Sequence, residues 1–320
     1  MTYSTERDEL ITILRNNGVD SLWHFTDIRN MPLIKKYNGL KSKAFLEADG
    51  MLGEVFMAGN QLSHELDKSI GNWDKICLNF TPRTPMVYHK KRSQHLVFIE
   101  IDSQAATLDG VTFTDCNAVR TRNGQNRAEG VQGLSQVRFD IIKGPIEPWS
   151  QDWKKFVQAE VLIPDCLPIQ YFKSIHFNGN ASKELGTHYW TADSPIFSVN
   201  KNPFMDVVAN GKGTVEFAHV TDVFAVTNQV TEKNVDQITQ GVMQVPRNSP
   251  AWLVIRLVAT AGTVGKIEVI ETGQIEKMNF ETDSSWTWWP KINVPSNSSR
   301  LETDIYLNDI LWAKRKLTVR

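Results

Sequence analysis

A glutamate stands at the head of a short apolar run in Gln158-Ala159-Glu160-Val161-Leu162-Ile163-Pro164. Upstream, Trp149, Trp153 and Phe156 recur at spacings of four and three, one face of a helix. Downstream, Val161 to Ile163 is an apolar, strand-forming stretch that Pro164 stops. Glu160 therefore sits where a helix or loop hands over to a buried strand, and a carboxylate there is costly to bury unless it is paired or hydrogen-bonded. Such a group either turns to water at the strand edge or is kept for chemistry. His24, in Trp23-His24-Phe25-Thr26, poses a similar choice: an imidazole in an apolar strand is a satisfied core group or one that holds a ligand. Arg120, Arg122, Arg127 and Arg138, with few acids between them, belong to a loop-like segment, 103–150, rich in Gly, Asn, Gln, Thr and Asp. A loop of that length in a compact domain is functional or disordered. It leads straight into Glu160, the layout of a substrate-capturing loop over a catalytic residue, and its arginines suit a polyanion.

The elements that must position these groups can be read in order. Thr5 caps a helix to about Asn16 with Leu10, Ile11 and Leu14 on its inner face, ended by Asn17-Gly18. Residues 21–28 read as a strand entering a turn, and Asn30-Met31-Pro32 opens a short helix ending near Asn38-Gly39. From Lys41 to Asp74 the pattern is loose, with one helix around 60–69. Strands are expected at 75–80, 95–101 and 171–177, and Pro82 and Pro85 fix an extended turn after the first of them. Tyr88 and the basic run His89-Lys90-Lys91-Arg92 follow, the latter a solvated loop or a phosphate contact. Beyond about Lys183 the character changes, with strands at 215–217, 223–226, 252–259 and 266–271 and a helix between Glu232 and Val242. The cluster Trp286-Thr287-Trp288-Trp289-Pro290 can pack in a small β core or stack on bases. The tail 311–316 is basic with one aromatic residue.

Composition excludes several classes. With 35 basic and 36 acidic residues, no global field draws the chain to nucleic acid, so any such binding uses local patches. Cys77, Cys116 and Cys166 lie far apart without a CxxC pair, which argues against a zinc site or a disulfide framework. Neither a dense set of His, Asp and Glu nor a phosphate-binding glycine loop is visible, so no metal is expected. No apolar run approaches the roughly 18 residues that span a bilayer, and Met1 to Asp8 carries no hydrophobic signal segment. The expectation is a cytoplasmic protein with no membrane partner.

Five segments carry a resemblance: Trp23-His24-Phe25-Thr26, Asn30-Met31-Pro32, Leu78-Asn79-Phe80-Thr81-Pro82-Arg83-Thr84-Pro85-Met86, Thr114-Asp115-Cys116-Asn117-Ala118 and Gln158-Ala159-Glu160-Val161-Leu162. In this order and spacing, over roughly residues 20–178, the chain resembles the DarT family, bacterial toxins that ADP-ribosylate nucleic-acid bases using NAD+. The resemblance implies an α+β chain with an ADP-ribosyltransferase-like split β-sheet core: two small packed sheets, an NAD+ cleft between them and helices outside. The chain then divides into a transferase domain, 1–182, and a β-rich accessory domain, 183–320. In the family the first-motif histidine holds NAD+ through its ribose, here His24 with Thr26 beside it and Asn30 near. Phe80, Arg83 and Tyr88 become candidates for the nicotinamide side, Glu160 the catalytic glutamate, and Arg120, Arg122, Arg127 and Arg138 the nucleic-acid contacts. Breaking the nicotinamide–ribose bond leaves oxocarbenium character that a carboxylate stabilises, and general-base help to a base nitrogen contributes about 10²–10⁴ in rate.

One departure stands out. The family's catalytic arginine precedes the Pro-rich turn, but Asn60-Gln61-Leu62-Ser63-His64-Glu65-Leu66-Asp67-Lys68 contains none. His64 or Lys68 can take the place, though neither offers the planar guanidinium fork. The target is then a base in single-stranded DNA or RNA, with a toxin or anti-phage role and a neutralising antitoxin. Transfer to a protein side chain, or a non-catalytic nucleic-acid-binding or regulatory module of the same fold, are the alternatives.

Overall fold

A computed structural model describes residues 2–57, 61–90, 93–120, 127–147, 150–192, 194–207, 214–216 and 218–320. Eight strands organise its first half, in the spatial order Phe197–Val199, Phe172–Phe177, Leu96–Asp102, Ser21–Asp27, Lys75–Asn79, Glu160–Pro164, Thr112–Thr114 and Arg127–Glu129. All neighbours are antiparallel except the first pair. The central strands are rich in Val, Ile, Leu and Phe because both faces are covered; Leu96 to Ile99 and Ile101 are all buried.

The pairing is uneven, and that shapes the molecule. Ser21–Asp27 pairs along its whole length with Leu96–Asp102, and Lys75–Asn79 along its whole length with Glu160–Pro164. Between these two pairs only Trp23 and Asn79 are opposed. The sheet is therefore two four-stranded halves joined at one residue pair, the split sheet expected from the resemblance. Past that seam, residues 24–27 and 75–78 part and leave a cleft.

Helices close the outside. Arg7–Asn16 starts one residue later than expected, with Glu6 and not Thr5 at the N-cap position; Leu10 and Leu14 are buried, while Ile11 is only partly so. Segment 103–150 is not the long loop its composition suggests. It holds the strands Thr112–Thr114 and Arg127–Glu129 and the helices Gly130–Leu134 and Phe139–Ile142. Three-residue strands show too little alternation to be read from sequence, and these are fixed by pairing with Glu160–Pro164 and with each other. Pro85 does not extend a turn but opens the helix Pro85–Lys90, the position where a missing N–H costs least. The helix before Glu160 is Gln151–Phe156, with Ser150 Oγ accepting from Trp153 N at 3.2 Å. Asn60, Lys91, Arg92, Arg122, Trp149 and Phe217 lie outside the described residues.

The second half is β-rich. His219–Val226, Pro250–Ala259 and Ser284–Trp288 form one sheet, with Lys291–Asn293 also on Pro250–Ala259. Gln244–Val245, Ile310–Val319, Arg300–Leu307, Thr263–Val269 and Gln274–Phe280 form another. Leu253, Ile255 and Leu257 of the first pack in one core with Ile267, Leu301, Ile305 and Leu317 of the second, a β-sandwich. Trp286 and Trp288 pack against that core, which decides the tryptophan cluster in favour of packing. In place of the helix expected between Glu232 and Val242 there is one 3-10 turn, Val235–Gln237, because the stretch is polar and only Val235, with Ile238 partly, reaches a core. The basic tail is neutralised by acids: Lys314 binds Asp304 at 2.8 Å, Lys316 faces Glu302 at 3.6 Å and Arg315 faces Glu184 at 3.4 Å.

The two halves share the helix Asn180–Trp190, inside which the expected boundary at 182/183 falls. Leu185 and Trp190 enter the first core and Ala181 the second. Beside it, His95 Nδ1 donates to Leu311 O at 2.9 Å, and His95 Nε2 accepts from Ser182 Oγ at 3.1 Å. The ring stacks on Trp312 with centroids 3.9 Å apart, and burial lowers the His95 pKa to about 4.

Candidate active site

Where the half-sheets part lies a cavity of about 270 Å³. His24, Thr26, Asp27 and Asn30 form one wall and Cys77, Asn79 and Glu160 the other. Lys43, Asp67 and Asn72 line it as well, as do Phe56, Met57, Thr84 and Met86.

His24 comes from the first half-sheet, and its Nδ1 lies 3.1 Å from the Cys77 carbonyl of the second. A carbonyl only accepts, so Nδ1 carries the proton. Burial lowers the His24 pKa, partly opposed by that bond, so the ring is neutral and Nε2 presents a lone pair. The imidazole thus ties the halves together just below the seam and keeps one acceptor. Asn30 sets the wall beside it. Its amide donates to Thr26 Oγ1 and to Phe56 O, both at 2.9 Å, and accepts from Phe56 N at 2.8 Å. Asp27, buried, grips Arg29 through two bonds of 2.8 Å, and the guanidinium lies 3.7 Å from the Phe56 ring centre.

Glu160 opens its strand because register places it between Asn79 and Thr114. Thr114 Oγ1 accepts from Glu160 N at 3.1 Å and donates to Cys116 O at 2.6 Å. Asn117 Oδ1 accepts from Val119 N at 3.0 Å, making a turn that aims Ala118 N at Glu160 Oε2, 3.0 Å away. The fourth motif is therefore the cradle of the glutamate. Glu160 is half-buried; desolvation raises its pKa to about 7, with the Ala118 N–H opposing, Asp67 adding and Arg127 and Lys43 subtracting. Such a carboxylate is poised to take a proton near neutrality.

The remaining expected residues are placed variously. His24, Thr26, Asn30 and Glu160 line the one cavity. Phe80 lies in the hydrophobic core, edge-on to Phe139 at 5.2 Å, because strand alternation sends Leu78 and Phe80 inward and Asn79 to the cavity. Arg83 is half-buried beyond the cavity's lining residues. Tyr88 lies in the helix Pro85–Lys90 and Arg120 in the turn Ala118–Arg120. His64 stands edge-on to Trp73 at 6.0 Å, and Lys68 pairs with Glu47 at 2.9 Å on the surface; neither lines the cavity. Arg127 is bound to Gly71 O at 3.2 Å and to the Asn72 side chain, and Arg138 is doubly bonded to Asp140 at 2.8 and 2.6 Å. Lys43, Asp67, Asn72 and Asn79 are cavity residues that the sequence reading missed. The available signal was Ser42, whose Oγ accepts from Phe45 N at 3.1 Å and starts the helix Lys43–Ala48. Among the described residues there is no group of three or more His, Cys, Asp or Glu able to hold a metal ion, and no helix long and apolar enough to cross a membrane.

A family model described as ssDNA thymidine ADP-ribosyltransferase, DarT, matches residues 23–191. Among solved structures, Thermus sp. 2.9 DarT in complex with ADP-ribosylated ssDNA is similar at 16% identity and a TM-score of 0.47, covering 58% of this chain and 96% of that one. The same protein in complex with NAD+ gives 16% identity and 0.45 over 58% and 97%. Thermosipho africanus DarTG in complex with ADP-ribose gives 18% and 0.45 over 57% of this chain and 50% of that one. No curated protein matches.

Proposed function

The chain belongs to the DarT family of ssDNA thymidine ADP-ribosyltransferases, and from that premise we infer that its cleft binds NAD+ and transfers ADP-ribose to a thymine base of single-stranded DNA. The observation that carries the reading is the convergence of His24 and Glu160, from opposite half-sheets, on one cavity. His24 Nε2, unprotonated, accepts from a ribose hydroxyl. The parted edges below the seam offer main-chain groups to the rest of the dinucleotide. Glu160 faces the ribose carbon that loses nicotinamide and offsets its developing positive charge.

The balance of the step is simple. The bond from ribose C1′ to nicotinamide breaks, and nicotinamide leaves with the electron pair. Thymine has one ring N–H; that nitrogen bonds to C1′ and its proton passes to the Glu160 carboxylate. A base in a single strand spares the cost of extrusion from a duplex. Modification of template bases makes the protein a toxin, which fits a phage-defence setting and an antitoxin protein that masks it or removes the mark.

The test offers purified protein and labelled NAD+ to thymidine-containing single-stranded DNA, to RNA and to a protein lysate, with Glu160→Gln as control. Label in the DNA alone, absent with the variant, is expected. Label confined to RNA or to protein would replace the proposed target, and undiminished label with Glu160→Gln would remove that residue from the reaction.

A further inference from the structure

We propose that Lys43, held by Asp67, is a second catalytic group of this transfer: its ammonium hydrogen-bonds a carbonyl oxygen of the thymine while Glu160 takes the ring N–H proton. The inference rests on the reading above and concerns the base, not NAD+. Both residues line the cavity that Glu160 enters. Asp67 is 9% exposed, and its carboxylate binds the Lys43 ammonium. The Trp73 ring holds the same ammonium from another side, 5.2 Å from its centre. Lys43 begins a helix capped by Ser42, and Ala44 N bonds to Trp73 O at 2.9 Å, so the cation is positioned from the entry to the Lys75–Asn79 strand.

Asp67, Arg127 and Lys43 are charged side chains close enough for their fields to act on Glu160. Arg127 is tied to Gly71 O and Asn72, outside the cavity lining. Lys41 and Lys75 also line the cavity, but Lys41 lies over Phe45 at 4.6 Å and Lys75 faces Asp74 at 3.3 Å. Among the described residues, Lys43 both lines the cavity and acts on the glutamate. An ammonium has three N–H donors, and a carboxylate partner leaves others to offer. That partner also decides the ligand. Asp67 would repel a diphosphate, whereas a neutral carbonyl oxygen meets a donor whose charge is already balanced. As the ring nitrogen gives its proton to Glu160 and bonds to C1′, negative charge passes to the neighbouring carbonyl oxygens, where Lys43 meets it without losing a proton. Asp67 is a positioning residue.

The test compares wild type with Lys43→Ala, Lys43→Arg, Asp67→Ala and Asp67→Glu in the full chain. It measures NAD+ affinity and single-turnover transfer to oligonucleotides carrying thymidine or 5-fluorodeoxyuridine, whose ring N–H is more acidic. For Lys43→Ala we expect NAD+ affinity within about threefold of wild type and thymidine transfer down about 100-fold. That defect shrinks at least about tenfold on the fluorinated base, which needs less help to lose its proton. Lys43→Arg and Asp67→Glu recover part of the rate. Equal loss of affinity and transfer would assign Lys43 to NAD+ or to folding. A defect of the same size on both bases, or wild-type transfer, would overturn the proposal. Wild type inert on DNA would instead refute the function on which it rests.

Discussion

Replacing Glu160 by Gln makes the protein more stable, and increasingly so as pH rises from about 5 to about 8. The folded chain holds the Glu160 proton to about pH 7, whereas the ordinary value is 4.5. The unfolded state therefore releases a proton that the native state keeps, and ionisation works against the fold. That cost is absent below the ordinary value, grows between the two and is complete above the higher one. At about 1.4 kcal/mol per pH unit it reaches at most about 3.5 kcal/mol. Gln is nearly isosteric and still accepts from Ala118 N, 3.0 Å away in the wild type, so little else changes. It also removes repulsion with Asp67. Urea melts of both proteins at constant ionic strength, at about pH 5 and about pH 8, read the difference directly. The expected gain is under about 1 kcal/mol at the lower pH and about 2–3 kcal/mol at the higher. A gain of equal size at both, or a variant weaker at the higher pH, would refute the claim that burial holds this carboxyl protonated.

The same titration runs the other way in catalysis: if Glu160 takes the base proton, single-turnover transfer rises as pH passes through about 7 and levels above it, as a rate–pH profile will record. Asn30→Ala strands the Phe56 N–H and carbonyl, so denaturant melts should lose about 2–4 kcal/mol and calorimetry should find weaker NAD+ binding. Lys68→Ala changes stability by less than about 1 kcal/mol and leaves transfer within about twofold, because its partner Glu47 is exposed; a tenfold loss of rate would bring Lys68 back to the site. Trp312→Ala removes a buried ring stacked on His95 and costs about 3–5 kcal/mol, while the His95 pKa, read by NMR titration, climbs from about 4 toward the ordinary range.

Local pattern carried some of these groups and not others. Glu160 and His24 were legible because each interrupts an apolar run, and a polar group in such a place needs a reason. The central strands were legible for the same cause, their Val, Ile and Phe content. Asn79 and Phe80 were exchanged: the sequence run points to the aromatic residue, but alternation along the strand sends the amide into the cavity and the ring into the core. Lys43 and Asp67 were silent because their pairing joins two separate helices, which no local window contains. The strands Thr112–Thr114 and Arg127–Glu129 exist through their neighbours' hydrogen bonds, and short elements of that kind leave no period to read. The basic tail shows the converse of this. Lys314 and Lys316 stand in register with Asp304 and Glu302 on the adjoining strand, so charges that look free in sequence are matched in space.

The seam at Trp23 and Asn79 bears on how such a protein can diverge. Past that single pair the facing strand edges make no ladder with each other, and apart from the Cys77 carbonyl held by His24 their inward main-chain groups can serve whatever enters between them. Every amino acid except proline supplies the same two groups. A ligand held largely by main chain therefore demands strand direction and spacing more than side-chain identity. Inheritance can rewrite most of the letters along residues 24–27 and 75–78 while the grip on the dinucleotide persists. Selection then falls hardest on the few positions where a side chain must do what a peptide group cannot: one imidazole, one carboxylate and the amide of Asn30 that fixes the wall beside them.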